Sequence, residues 1–120
     1  MKTELSPFAR GYIACALWLC DNDGGPTPTI DELADETLAR MVADCAAFTE
    51  SCHAYLVAAN EQGRDDKQLG HDFYLTRNGH GAGFWDRGLG KLGDELTAMA
   101  DPFGSYELYI GDDGKLYGSD

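Results

Sequence analysis

Two histidines and two aspartates in the middle of the sequence are its closest group of side chains able to bind a metal ion or act as a general acid and base. They are His71, Asp72, His80 and Asp86. Imidazole and carboxylate together suit divalent metals and proton transfer, so a small metal-dependent or nucleotide-binding protein is one hypothesis. A histidine beside an aspartate is also commonly a structural pair, and we favour that interpretation. We therefore assign no catalytic residue, metal or cofactor.

The segment around these residues, DFYLTRNGHGAGFWDR at 72–87, contains a strong hairpin signal. Asn-Gly favours a type I′ turn because both central residues need positive φ, which predicts this turn at Asn78-Gly79. Counting outward, His71 faces Asp86 across the two strands. Alternation then sorts the side chains onto a core face and an opposite face.

The opposite face of this predicted hairpin carries a shallow groove, because two of its positions are glycines. Tyr74 and Trp85 border the groove, with Asp72 and Thr76 on the same face. We predict that these four residues bind a partner protein. The alternative is that another helix covers Tyr74 and Trp85, and that the glycines permit its close approach.

A longer loop in place of the tight turn would direct successive N–H groups toward one point, forming an anion-binding nest. This second register predicts a phosphate-type site at residues from the same segment. Its members are Arg77, Asn78, Gly79, His80 and Gly81.

Hydrophobic periodicity predicts three helices around this segment. Ser6-Pro7 marks the start of a helix at residues 7–20, and apolar residues every three or four positions predict a long helix at 29–59. A third helix covers residues 89–99, where Asp101-Pro102 follows. Turn-forming residues place a loop at 21–28.

The fold class that follows is α+β. The alternating residues of SYELYIGDDGKLYG predict a second hairpin around Asp113-Gly114. A small antiparallel sheet of three to four strands, built from the two hairpins, would pack against the three helices. The 120 residues, 43% of them hydrophobic, suit one domain. Residues 1–62 would form its helical half, and 63–120 a hairpin–helix–hairpin half.

The sequence is strongly acidic, with a net charge of −12. This charge opposes unaided binding to nucleic acid or an anionic membrane and predicts a partner protein with a basic surface. Four acids crowd the start of the long helix, where the helix dipole favours anions. These residues, Asp31, Glu32, Asp35 and Glu36, are a second predicted partner-binding surface.

Cysteine spacing and hydropathy indicate a protein of the cytoplasm. Four cysteines occur without metal-ligand spacing and within apolar helical patterns, which predicts buried free thiols; they are Cys15, Cys20, Cys45 and Cys52. The apolar run YIACALWLC at 12–20 is too short to span a bilayer, and the N-terminus lacks the features of a signal peptide.

The sequence at residues 71–118 resembles the C-terminal half of small, mostly uncharacterised proteins encoded by bacteriophages and prophages, and with the upstream acidic helix the resemblance covers roughly residues 30–118. The motif H-D-F-(Y/W)-L-T-R-N-G-H-G-A-G-F-W-D-R is matched closely at residues 71–87. The resemblance implies action in the cytoplasm of an infected bacterial host, where acidic accessory proteins bind host machinery. We therefore predict an anti-CRISPR or antirestriction type of inhibitor whose carboxylates imitate nucleic-acid charge. Self-association through the groove is a further possibility.

Overall fold

The computed structural model describes residues 5–20 and 24–119. Five α-helices and one two-stranded sheet form the regular structure of this part of the chain. The elements are α1 (Pro7–Leu19), α2 (Asp35–Ser51), α3 (His53–Glu61), α4 (Asp66–Arg77), α5 (Lys91–Ala100), β1 (Glu107–Ile110) and β2 (Leu116–Ser119). Single 3₁₀ turns lie at Ile30–Glu32, Phe84–Asp86 and Asp101–Phe103.

The predicted α+β fold with a sheet of three to four strands is wrong. The described chain is mostly helical, and its sheet consists of β1 and β2 alone. The second predicted hairpin is present as this antiparallel pair. The first is replaced by α4 and by a loop that contains the 3₁₀ turn Phe84–Asp86. The strand pairing predicted across Asn78-Gly79 therefore does not form.

The Asn-Gly pair ends a helix instead of turning a hairpin. Gly79 has φ 67°, and its N–H donates to Thr76 O at 3.2 Å while His80 N–H donates to Leu75 O at 3.1 Å. These two bonds define a Schellman motif, in which a left-handed glycine follows the last helical turn. A type I′ hairpin turn and a Schellman helix end both place glycine at positive φ. The Asn-Gly dipeptide alone therefore does not distinguish a hairpin from a helix end.

The start of α4 has a signal that the sequence prediction overlooked. Asp65 accepts a hydrogen bond from Gln68 N at 2.8 Å, and Asp65 N donates to Gln68 Oε1 at 2.9 Å. This reciprocal pair is a capping box, with aspartate as the N-cap residue. The polar residues that were predicted to end one helix therefore also begin the next.

The predicted long helix at 29–59 is three elements. Leu33 and Ala34 are extended and separate the 3₁₀ turn Ile30–Glu32 from α2. Cys52, with φ −121° and ψ 31°, separates α2 from α3. The buried stripe continues across this break, because Phe48, Cys52 and Leu56 all face the core.

The predicted first and third helices are confirmed as α1 and α5. Ser6 Oγ accepts a hydrogen bond from Ala9 N at 3.1 Å, as expected of an N-cap residue before a proline. Residues 21–23 of the predicted loop lie outside the described part, and residues 24–28 form neither helix nor strand. The four cysteines are buried free thiols, as predicted. No described helix is long and apolar enough to cross a membrane.

The core forms where α1 and α4 pack closely together. A side chain at Gly11 would collide with the Lys67 carbonyl, and one at Gly70 with the Phe8 carbonyl. Glycine at these two positions lets the helix backbones approach each other. Aromatic rings fill the adjoining interior, and the rings of Phe48 and Phe73 stack with centroids 4.1 Å apart.

Candidate functional site

Asp72 lies in the interior, where two arginines hold its carboxylate. Its side chain is 0% exposed; Arg64 Nη2 donates to Oδ2 at 2.7 Å, and Arg87 Nε donates to Oδ1 at 2.8 Å. A partner protein or a metal ion could reach this carboxylate only by displacing an arginine. The side chain predicted to bind a partner or a metal therefore joins α4 to the segments before and after it.

Arg77, predicted in the anion-binding nest, is also an interior residue. Its guanidinium donates to Gly104 O at 2.8 Å, Phe103 O at 3.0 Å, Tyr12 Oη at 3.1 Å and Asp44 Oδ2 at 2.8 Å. Four acceptors from three regions of the chain thus use most of its five N–H groups. A bound anion would have to compete with all of them.

The other residues of the predicted nest are arranged as the end of a helix. Asn78 Nδ2 donates to Tyr74 O at 2.9 Å, and Asn78 Oδ1 accepts from Tyr106 N at 2.7 Å. The N–H groups of Gly79 and His80 bond to carbonyls of α4. Gly81 is exposed. The successive N–H groups that a nest requires are therefore directed into the protein.

The predicted groove does not form, because the strand face that would carry it is absent. Tyr74 is 2% exposed, whereas Trp85 is 43% exposed. Gly83 is buried, and a side chain there would meet the ring of Trp85 and Thr76 Oγ1. Thr76 Oγ1 accepts a hydrogen bond from Phe84 N at 3.1 Å. Trp85 is thus the one large ring of this pair that could contact a partner.

The histidines and aspartates of the hypothetical metal or acid–base cluster do not converge. His80 Nε2 lies 2.9 Å from Glu107 Oε1, and its ring stacks on Tyr74. Burial lowers the pKa of His71, which favours its neutral form. Within residues 5–20 and 24–119, no group of three His, Cys, Asp or Glu side chains is placed to hold a metal ion.

The acidic segment (Asp31, Glu32, Asp35 and Glu36) is exposed at all four positions. It spans the 3₁₀ turn and the first turn of α2. Between its two pairs, Leu33 forms a parallel bridge with Leu116 of β2, and Ala34 N donates to Leu116 O at 3.1 Å. The bridge places these carboxylates beside the hairpin, whose loop adds the exposed Asp112 and Asp113.

The outer side of the hairpin carries two tyrosines that the sequence analysis did not select. Tyr109 and Tyr117 are opposite each other in the register, with ring centroids 6.0 Å apart. Tyr117 Oη donates to Asp113 Oδ2 at 2.6 Å, which fixes the second ring. Tyr109 remains 50% exposed. We refer to Tyr109, Tyr117 and Asp113 as the tyrosine face.

Charges around the tyrosine face influence one another. The hydrogen bond to Asp113 raises the pKa of Tyr117 to about 12, with burial and the nearby charges of Asp113 and Glu36 adding to this effect. The same bond, with that from Lys115 N, lowers the pKa of Asp113. The Leu33–Leu116 bridge brings the acidic segment alongside the strand residue that precedes Tyr117, so the acidic segment and the tyrosine face adjoin.

The hairpin loop has one residue more than the predicted turn, and this difference changes which residues of β1 and β2 face each other. Gly111 N donates to Lys115 O at 2.7 Å, and Gly114, with φ 81°, donates to Gly111 O at 3.0 Å. The loop therefore has three residues and ends in a left-handed glycine, a common alternative to the two-residue turn. A two-residue turn at Asp113-Gly114 would instead pair Tyr109 with Gly118.

Two carboxylates are neutralised inside the fold by three arginines. Asp44 pairs with Arg77, and Asp72 pairs with Arg64 and Arg87. Setting these five side chains aside, the 21 acidic and 9 basic residues of the sequence become 19 and 6. The remaining side chains are thus even more negative in sum than the net charge of −12 indicates.

Comparisons with known proteins identify no relative of this chain. No family model matches the chain, and neither a curated protein nor a solved structure is similar to it at a significant level.

Proposed function

We propose that this protein is an acidic accessory protein of a bacteriophage or prophage that binds and inhibits a host nucleic-acid-processing or defence protein. The proposed partners are nucleases of CRISPR and restriction systems. The observation that supports this proposal best is the exposed acidic segment, which the Leu33–Leu116 bridge holds beside the acidic hairpin loop.

An anchored row of carboxylates suits a basic partner for two reasons. Negative potential from many charges steers a positive surface toward it and accelerates association. Carboxylates on a 3₁₀ turn and a helix start also lose little freedom on binding, because the backbone beneath them is already fixed. A nuclease channel that normally receives phosphates would offer the complementary charge.

The phage setting comes from the resemblance at residues 71–87, and the structure assigns much of that motif to folding. Arg87 binds the buried carboxylate of Asp72, Arg77 crosslinks three regions, and Asn78-Gly79 ends α4. Recognition of a partner is therefore better sought outside the motif. Of its described residues, Trp85 is the largest exposed hydrophobic side chain and remains a secondary candidate for contact.

The test is affinity capture from host lysate with three forms of the tagged protein. The first is the wild type, and the second neutralises the acidic segment through D31N, E32Q, D35N and E36Q. The third is a matched control with the same charge change at exposed positions elsewhere, E50Q, E61Q, D86N and D94N. Urea unfolding of each form checks that all remain folded, since two acids in the first turn of α2 each contribute about 0.3–1 kcal/mol through the helix dipole.

The wild type should capture a basic nucleic-acid enzyme and release it when duplex DNA or RNA is added. The acidic-segment variant should lose about tenfold or more in affinity, and the control should retain most of it. Equal capture by wild type and acidic-segment variant would refute this surface. A captured partner with no affinity for nucleic acid would refute the proposed inhibitor class.

A further inference from the structure

The tyrosine face has the composition of a surface that receives a cation. An exposed aromatic ring attracts a guanidinium or ammonium group through its quadrupole, and nearby carboxylates add direct charge attraction. Tyr109 provides a half-exposed ring, and the anchored ring of Tyr117 lies beside it. Exposed acids border the pair on the hairpin loop and at the start of α2.

We propose that the tyrosine face binds an arginine side chain of the partner protein, with the guanidinium against Tyr109 and its N–H groups directed to Glu36 and the loop aspartates. This inference rests on the proposed function for the existence of a basic partner. It adds the residue type that the partner must present and the point on this protein that receives it. Arginine is favoured over lysine because its planar group can stack on a ring and still bond a carboxylate.

Charge argues against two other occupants of this face. Single-stranded nucleic acid also stacks on exposed aromatic rings, but its phosphates would be repelled by the acidic segment and the loop aspartates. A second copy of this chain would bring its own net charge of −12 toward the same acids, and three of its five arginines, Arg64, Arg77 and Arg87, bind Asp72 or Asp44.

Contacts within the hairpin fix the position of the Tyr117 ring in the absence of a partner. Asp113 holds Tyr117 through its hydroxyl at 2.6 Å, and a side chain at Gly111 would collide with the Tyr117 ring. Glycine at this position thus leaves the space that the ring of Tyr117 occupies. Each carboxylate oxygen can accept more than one hydrogen bond, so Asp113 keeps acceptor capacity for a guanidinium.

The test is an NMR titration of the isotope-labelled full chain with a hexa-arginine peptide, at about 0.15 M ionic strength to screen distant charges. A hexa-lysine peptide and single-stranded oligothymidine are the comparison ligands. The variants are Tyr109→Ala and Tyr109→Leu, the latter retaining an apolar strand residue without an aromatic face. Tyr55→Ala is the matched control, since Tyr55 is also exposed and interacts with the Glu95 carboxylate, on α3 away from the hairpin.

Hexa-arginine should shift the signals of Tyr109, Gly111 and Tyr117 in a saturable manner and bind more tightly than hexa-lysine. Both Tyr109 variants should weaken this binding by about two- to fivefold, the range of an exposed cation–π contact, while Tyr55→Ala leaves it unchanged. Equal affinity of Tyr109→Leu and wild type, or shifts spread evenly over all acidic residues, would overturn the proposal. Binding of oligothymidine at the same signals would assign the face to nucleic acid instead.

Because this titration uses no host protein, it can fail independently of the proposed function. Capture of a basic enzyme through the acidic segment together with an unresponsive tyrosine face would leave the inhibitor proposal standing and refute the arginine contact. If the face selects arginine but no nucleic-acid enzyme is captured, the arginine contact would stand and the inhibitor proposal would be refuted.

Discussion

Arg77 Nη1 lies 2.8 Å from Asp44 Oδ2, and this ion pair joins α4 to α2 inside the fold. The Arg77 side chain has 0% exposure, and that of Asp44 has 17%. An arginine so deeply buried is tolerated because a carboxylate, two carbonyls and a tyrosine hydroxyl satisfy it. The residue that sequence reasoning assigned to an anion site is therefore a central crosslink.

Replacing Arg77 should strongly destabilise the protein. Arg77→Met leaves two carbonyls without their donor and leaves Asp44 only its exposed partner Arg40, and we expect a loss of about 3–5 kcal/mol in the free energy of unfolding, measured in urea. Arg77→Lys should also cost about 2 kcal/mol or more, because an ammonium group has only three N–H groups and no planar fork. Arg40→Ala removes an exposed partner of the same Asp44 together with the contact of Arg40 over the Tyr106 ring, and should cost about 1–2 kcal/mol. Similar losses for Arg40→Ala and Arg77→Met would contradict this assignment.

Because Gly79 ends α4 and Gly81 does not, alanine should be tolerated differently at these two positions. Gly79→Ala forces a side chain into positive φ and should cost about 1–2 kcal/mol. Gly81→Ala, at an exposed position with open space around it, should stay within about 0.5 kcal/mol of wild type. Chemical denaturation of the two variants makes the comparison. A large loss at Gly81 would argue that its backbone is constrained in a way the structure does not show.

The close approach of α1 and α4 predicts that alanine will fail where helix propensity favours it. Gly70→Ala gains about 1 kcal/mol in propensity, but its methyl group collides with the Phe8 carbonyl. We expect a net loss of about 1–3 kcal/mol from the forced separation of the helices. Ala14→Gly, at an exposed position of α1, calibrates the propensity effect alone at about 1 kcal/mol. A stabilising Gly70→Ala substitution would show that the helices are not in contact there.

The buried thiols should make the fold sensitive to alkali. Burial raises the pKa of Cys15 to about 12 and that of Cys52 to about 11, from the usual 9.0. Above pH 9 the unfolded chain loses thiol protons that the folded chain keeps, so stability falls as pH rises toward 11. Urea unfolding between pH 8 and pH 11 should show this decline, and it should be shallower in the Cys15→Ala, Cys52→Ala double variant. The same slope in both proteins would mean that these thiols do not contribute.

Much of the helical scaffold could be predicted from sequence, because its signals are local. Ser6-Pro7 marked the start of α1, and the alternation in residues 105–118 marked the hairpin. The acidic segment was identified correctly as exposed, since acids cluster where an amphipathic pattern begins. None of these inferences required knowledge of what lies opposite in space.

The central helix α4 could not be predicted in the same way. Residues 72–75 are all buried, so a period of two and a period of 3.6 fit them equally well. Asn78-Gly79 then suited both a hairpin and a helix end, and tertiary contacts decided between them. The pairing of Tyr109 with Tyr117 depended on one extra loop residue, a difference that composition does not reveal.

The Leu33–Leu116 bridge has a consequence for the timing of activity during translation. The acidic segment leaves the ribosome before β2, the hairpin strand that pairs with Leu33 and holds the segment in place. A nascent chain therefore carries the charges without their final arrangement, and the composite surface arises only once residue 116 has emerged and paired. If the proposed function holds, a chain that has not yet reached residue 116 would bind a basic partner more weakly than the folded protein, although it already carries the acidic segment.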